Sequence, residues 1–525
     1  MILYYEKNIF QRAEKIYMTK EITEIKKENT NKNLRILHLV LIGAGSVFLL
    51  SGIFQNSIWF DEAYSLSLIK APFAEMCKVA AEDVHPLLYY IYLKPFSFLP
   101  GEFFPLRFAS SIPAIILVVL GYTHIKRDFG EKTGFFFSFF SVFLPFAFKY
   151  STQIRMYSLA ALLFTLSLIY AYRFAVYKEN KTKNIVFFSL FSVLSAYTHY
   201  FAFAAACFLN FFLIIYLVFK VKEDKKSIVF FCFAAISEII LYIPGIKILL
   251  HQIRPSSAAG IKIEWDKVLF DTIAFSFIGD MKEDAAALPN AEYISICVIS
   301  FILFLCLIAF LTALSLKKKK HASTALICLI LYITVIAAAL FVSFSKRPIY
   351  YERYTVCFIS LLIFPASFAL VEIKYKALKS SILAIIILVF FVRICPMYAQ
   401  IYSPSNKDMQ KYLSDNLRSD DIIIFDYITG YNTEAYFPET KKCFYNYRKW
   451  DIEEAYKAFQ NTLTVREKDE IIKFTEENHA ERIFVINKDE AYKLLTMELG
   501  YKEKSSVFIE QKYYNYRFEI IILEK

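Results

Sequence analysis

Nothing in this chain has the spacing of a metal or disulfide framework. Its nine cysteines form no CxxC pair and stand at no Cys/His ligand spacing. Cys207, Cys232, Cys297, Cys306, Cys328 and Cys357 lie inside apolar runs, where a thiol behaves as a small hydrophobe. No nucleic-acid-reading motif is present, so the formal net charge of +11 needs another explanation. Internal repeats and low-complexity tracts are also missing. The N-terminal stretch 1–35 is polar and carries several acidic residues, unlike a cleavable signal peptide, and the first apolar run is expected to be a retained anchor.

What the chain has is apolar bulk. Of 525 residues 57% are hydrophobic and 18% aromatic, more than a soluble protein of this size could bury. Much of it occurs in runs near the length that crosses a bilayer, giving about eleven spans. They fall near 36–54, 105–124, 134–149, 156–176, 185–198, 200–219, 227–246, 291–315, 322–343, 355–373 and 380–395. The polar breaks alternate between short basic ones (124–127, 177–184, 220–226, 317–320, 374–379) and breaks that are tiny or long and mixed, with outer loops at 55–105 and 247–290. The basic breaks read as orientation signals, which predicts a cytoplasmic N-terminus and an external C-terminus in a multi-pass cell-membrane protein. Beyond residue 399 charged helical patterns interleave with short apolar strands at 421–426, 482–486 and 518–523, the pattern of a small α/β domain. The expected organisation is a cytoplasmic segment 1–35, a membrane domain 36–398 and an extracytoplasmic α/β domain 399–525.

Four clusters fall on the outer side of that topology. Asp61-Glu62 follows the first span; Glu82-Asp83-Val84-His85-Pro86-Leu87-Leu88-Tyr89-Tyr90 lies in the same loop. Tyr150 to Tyr157, containing Arg155, makes a short outer turn, and Arg347-Pro348-Ile349-Tyr350-Tyr351-Glu352-Arg353-Tyr354 stands at the mouth of the tenth span. Carboxylates that could deprotonate a hydroxyl and arginines that could hold a phosphate are thus gathered at one membrane face. Taken singly, each has a blander reading: arginines snorkel at span ends, tyrosines form interfacial belts, and His199 at an outer turn serves structure.

In this order the clusters resemble the polytopic GT-C glycosyltransferases of family 39, which include protein O-mannosyltransferases and aminoarabinose transferases acting on lipid A. The resemblance spans about Trp59 to Tyr354. It is carried by the acidic pair, His-Pro-Leu-Leu-Tyr-Tyr, Leu106-Arg107-Phe108, Arg-Met-Tyr-Ser at 155–158, Tyr197-Thr198-His199-Tyr200-Phe201 and the late Arg-Pro and Arg-Tyr elements. It implies a mainly α, polytopic membrane bundle with a polyprenyl-phosphate sugar as donor. It also implies Asp61 as the base, with Glu62, Asp83 and His85 in the catalytic cluster. Arg107, Arg155, Arg347 and Arg353, with Tyr157, Tyr350 and Tyr354, would hold the donor phosphate, and His199 is a further candidate. Asp83 could ligate a divalent cation (Mg, Mn or Zn). Two departures bear on this: Leu87 replaces the second proline of His-Pro-Pro, and Gln153 replaces an acidic residue two positions before Arg155, removing one metal ligand.

The sequence therefore leads to an inverting membrane glycosyltransferase that serves an extracytoplasmic acceptor (a cell-envelope glycan, lipid or protein), with the bilayer and no nucleic acid as partner. The alternative is a multi-pass transporter or lipid flippase. Against it stand the absence of an inverted repeat and the gathering of charge at one face.

Overall fold

The computed structural model describes residues 32–55, 57–101, 103–222, 224–252, 263–280, 289–449, 456–514 and 516–525. Most of the expected segment 1–35, and much of the 247–290 loop, lie outside these residues. The first apolar run forms helix α1 (Lys32–Phe54). The segment 55–105, expected as a loop, is largely helical: α2 (Phe60–Lys70), α3 (Phe73–Glu82) and α4 (Leu88–Leu93). These form a helical layer at one end of the bundle, and the hydrophobic pattern missed it because their apolar runs are short.

The bundle continues with α5 (Phe104–Leu120), α6 (Lys126–Phe129), α7 (Glu131–Phe143), α8 (Pro145–Thr152), α9 (Tyr157–Val176), α10 (Lys181–Ala196), α11 (Tyr200–Phe219) and α12 (Lys225–Gln252). It closes with α13 (Val268–Ile278), α14 (Asn290–Leu316), α15 (Ala322–Ser345), α16 (Ser360–Glu372) and α17 (Lys376–Ile401). Among the described residues eight helices are long and apolar enough to cross a membrane, or ten if two bent pairs count as one span each, against the eleven expected. The expected span at 185–198 falls short because α10 has only 16 residues. It nevertheless returns the chain: α9 leaves the ring of Tyr157, and after α10 the ring of His199 lies 5.9 Å from it.

The first of the two bends has a local cause. Pro145 opens α8 after an extended Leu144, and α7 and α8 meet at 67° because proline cannot continue the hydrogen-bond ladder. The second bend, 70°, separates α16 from a 3-10 turn at Glu352–Phe358. These breaks aim Arg155 and Arg353 at the same place. Helices α5 and α9 are the bundle's centre, with 67% and 61% of their apolar windows buried, whereas α12, α14 and α17 present most of theirs outward, as lipid-facing helices do. Close approach of α7 to the turn that follows α5 depends on Gly121 and Gly134: a Cβ on Gly121 would lie 2.6 Å from the Gly134 carbonyl oxygen.

The C-terminal domain starts with α18 (Asp408–Asn416) and β1 (Ile422–Phe425), followed by α19 (Asn432–Tyr436), β2 (Lys442–Tyr445), β3 (Thr462–Val465), α20 (Lys468–Glu477), β4 (Arg482–Ile486), β5 (Lys502–Gln511) and β6 (Tyr516–Glu524). Its six-stranded sheet has the order β3-β2-β1-β4-β6-β5, parallel from β3 to β4 and antiparallel for β6 and β5. Strand β1 is buried on both faces. Ile422 and Ile424 pack with Ile471 and Phe474 of α20, while Ile423 and Phe425 share a core with Tyr64 and Tyr90 of the membrane-end layer. The α/β domain therefore sits on α2–α4, at the end of the bundle that carries Asp61.

A candidate active site at one end of the bundle

Trp59 is extended (φ −117°, ψ 171°) and α2 begins immediately after it, so Asp61 and Glu62 occupy the first turn, where unpaired backbone N–H groups favour anions. Adjacent helical residues point about 100° apart. One carboxylate of the pair therefore faces the interior and the other faces the mouth.

Glu62 is the inward one, fully buried. Its Oε1 accepts from Arg107 Nη1 at 2.8 Å and from the Ile154 backbone N–H at 2.9 Å; its Oε2 accepts from Arg107 Nη2 at 3.4 Å and from the Tyr514 hydroxyl at 2.8 Å. Arg107, equally buried, also donates to the carbonyls of Ser57 and Thr152. These contacts tie α2, α5, the α8–α9 turn and the C-terminal domain to one carboxylate. The structure thus turns Glu62 and Arg107, expected in the catalytic and phosphate-binding sets, towards each other beneath the site. The pair sits behind Asp61 as a strut.

Tyr514 lies 452 positions from Glu62 in sequence, and nothing in the sequence pointed to it. Burial beside Glu62 pushes its hydroxyl well above the usual phenol range, so it acts only as a donor. Tyr514→Phe should lose a hydrogen bond to a charged group, worth about 1.5–3 kcal/mol, and thermal unfolding of the purified protein should fall accordingly. Unchanged unfolding would show that the C-terminal domain does not brace the site.

Asp61 faces the mouth with 23% of its side chain exposed. Arg155 Nη2 and Arg353 Nη2 each stand 3.8 Å from its Oδ2, beyond hydrogen-bond length but within ion-pair range. Arg155 is buried and held by its Nη1, which donates to the Asp61 carbonyl and to Ser65 Oγ, both at 3.2 Å. Arg353 is stacked among Trp59, Tyr351 and Tyr354, with its guanidinium carbon 5.1, 4.2 and 5.8 Å from their ring centroids. One carboxylate and two guanidiniums thus converge from three chain segments.

Around them lie the other candidates. Asp83, at the C-terminal end of α3, is buried with Oδ2 unpartnered. Burial raises its carboxyl to about 6, against the lowering influence of the Val84 backbone N–H, Arg155 and Tyr64, while Asp61 raises it further. The His85 ring lies 5.6 Å from that of His199; burial, then Arg155, keeps His85 neutral by lowering its pKa well below the usual imidazole value. Nδ1 of His199 accepts from the Phe201 backbone N–H at 3.1 Å, so in the neutral ring Nε2 carries the proton, and that atom has no partner. Tyr354 lies 5.0 Å from His199 and 6.5 Å from Tyr157, whose buried hydroxyl is likewise unpartnered. These rings form an aromatic wall with a few inward-facing donors.

Two expected residues turn elsewhere. Arg347 Nη2 donates to the Gln252 carbonyl at the end of α12, at 3.2 Å. The Tyr350 hydroxyl bonds Thr272 of α13 at 2.7 Å and fastens the mouth of α16 to its neighbour. Sequence order put both beside Arg353, but the irregular stretch before the 3-10 turn carries them to partners on α12 and α13.

The residues present fit a divalent cation poorly. Among the described residues no three His, Cys, Asp or Glu side chains come together as a metal-binding group. Asp61 is flanked by guanidiniums, and Gln153 stands where an acidic ligand was expected.

No family model and no curated protein matches this chain. Its fold is similar to solved structures of ArnT from Cupriavidus metallidurans: in the apo state 9% identity, TM-score 0.48, covering 92% of this chain and 97% of that one. With ArnT bound to undecaprenyl phosphate the values are 10%, 0.45, 92% and 97%. It is similar also to the Archaeoglobus fulgidus oligosaccharyltransferase complexed with Zn and sulfate, at 11% identity and TM-score 0.43, covering 90% of this chain and 72% of that one. All these TM-scores are below 0.5. The structural neighbours of this mainly α membrane bundle with its small α/β domain are GT-C fold glycosyltransferases.

Proposed function

We propose that this protein is a membrane glycosyltransferase that moves a sugar from a polyprenyl-phosphate donor to an acceptor hydroxyl. The observation that carries this reading is the half-open Asp61 carboxylate held between Arg155 and Arg353, 3.8 Å from each. Such a triad offers a proton acceptor and a phosphate clamp side by side. At 3.8 Å neither guanidinium is hydrogen-bonded to the Asp61 carboxylate, so an entering phosphate can draw both onto its oxygens.

In the reaction the acceptor oxygen attacks the anomeric carbon while its proton passes to Asp61. The bond from that carbon to the phosphate oxygen breaks, and its electrons leave with the polyprenyl phosphate. Arg155 and Arg353 stabilise the charge that develops there. Their charge is already in place, and Arg155 is fixed by Ser65 and the Asp61 carbonyl, so little reorganisation is needed. Attack opposite the leaving group inverts the anomeric centre. Half-buried Tyr354, backed by the buried rings of Tyr157 and His199, gives the sugar a face to stack on. The lipid tail would lie among the outward-facing apolar helices.

Arg353→Lys should weaken binding of undecaprenyl phosphate by about tenfold or more, because an ammonium lacks the planar fork that grips two oxygens. Arg347→Lys serves as the control and should bind normally. Equal binding by the Arg353 variant and the parent, at unchanged thermal stability, would remove Arg353 from the phosphate site.

The rate should also depend on pH through Asp83. This carboxyl ionises as pH rises through about 6. If its anion steadies Arg155, transfer declines as pH falls through that value and is full above it. In Asp83→Asn the acid limb near 6 should vanish along with part of the rate. A limb that persists unchanged in that variant belongs to another group.

A further inference from the structure

At the other end of α9 lies a second polar cavity of about 410 Å³, lined by Arg127, Tyr170, Arg173, Lys178, Lys183 and Asn184 among others. Helix α9 has 20 residues, about 30 Å at 1.5 Å per residue, so this cavity is one hydrocarbon thickness from Tyr157 and the Asp61 site. It therefore belongs to the opposite membrane face.

Four cations line it. Asp128 offsets part of their charge, accepting from Arg173 Nε at 2.7 Å, Arg127 Nε at 3.2 Å and the Tyr177 hydroxyl at 3.2 Å; Glu179 on the rim offsets another part. Four positive charges against two negative ones leave a surplus of two. Arg173 is 2% exposed, and its Nη2 has no acceptor. The first turn of α10 opens on the same cavity. Its N-cap Asn180 is left-handed (φ 54°) and supplies no side-chain cap, so the backbone N–H groups of that turn add to the positive field. An orientation signal would need only exposed lysines in the turn. It would not need a guanidinium packed inside α9 with a nitrogen left over. Val176, 48% exposed, forms part of the wall on the lipid side.

We propose that this cavity binds a phosphate ester, supplied by the headgroup of an anionic phospholipid in the leaflet opposite the Asp61 site. Arg173 and the α10 N-terminus hold the phosphate oxygens from inside, while Lys178 and Lys183 close over it from the rim. The acyl chains leave past Val176 into the bilayer. This assignment is independent of the glycosyltransferase reading.

Native mass spectrometry of the full chain, equilibrated in turn with phosphatidylglycerol, phosphatidylethanolamine and inorganic phosphate, tests it. Phosphatidylglycerol should be retained in preference. Two exposed lysines, each worth roughly fivefold near an anionic headgroup, make Lys178→Gln/Lys183→Gln the safest variant, with retention lowered roughly thirtyfold. Arg173→Lys, which keeps a charge beside Asp128, should also retain less lipid because the planar donor is lost. Equal retention by the parent and both variants would overturn the site. Binding of inorganic phosphate with no preference for phosphatidylglycerol over phosphatidylethanolamine would overturn the lipid as its source.

Discussion

Asp61→Asn should leave the protein folded and inserted but slow sugar transfer by a factor of about 10²–10⁴, the usual cost of losing a positioned general base. The substitution keeps the size of the side chain and its place in the first turn of α2. What it removes is the proton acceptor and the negative charge that Arg155 and Arg353 flank. Binding of undecaprenyl phosphate should survive or strengthen, because both guanidiniums are released from a competing anion. Measured together, the two quantities separate the roles: a rate loss with binding intact belongs to a base. Parental transfer by the folded variant would show that the acceptor proton goes elsewhere, with Asp83 the next carboxylate to examine.

The second large effect is on stability. Arg107→Met strands Glu62 as a buried charge with the Ile154 N–H and the Tyr514 hydroxyl as its remaining donors. Breaking a buried ion pair from one side typically costs about 3–5 kcal/mol. The variant should yield little folded protein, with a sharply lowered unfolding temperature. Adding Glu62→Gln should recover much of the loss, since the double variant has no unpaired charge. This recovery distinguishes a strut from a phosphate ligand. If the single variant were as stable as the parent and lost only donor binding, Arg107 would return to the phosphate set.

The sequence showed the membrane bundle and the α/β domain because their signals are long: apolar runs of bilayer length, and a strand such as Arg482–Ile486 between polar turns. It did not show the helical layer of α2–α4, whose helices of 11, 10 and 6 residues are too short to stand out as spans. The bends at Pro145 and before Ser360 also escaped it, although Pro145 was a visible cause.

Within the site, sequence order brought Asp61, Arg155 and Arg353 under suspicion together, and the fold places them around one carboxylate oxygen. Adjacency in sequence misled in two places. Glu62 follows Asp61 but is rotated into the interior, and Arg347 precedes Arg353 but bonds the end of α12. Tyr514 could not have been found from sequence. Its role depends on how the C-terminal domain docks on α2, and no local pattern encodes that contact.

Transfer itself tests the central claim most directly. The purified full chain in lipid nanodiscs would be given radiolabelled polyprenyl-phosphate sugars with a cell-envelope acceptor fraction. The site described here predicts that label leaves the lipid for an acceptor oxygen, that polyprenyl phosphate accumulates in equal amount, and that the new glycosidic bond has the inverted anomeric configuration. Label that stays on the lipid while the protein binds it and moves it between leaflets would contradict the account and make this molecule a carrier of lipids.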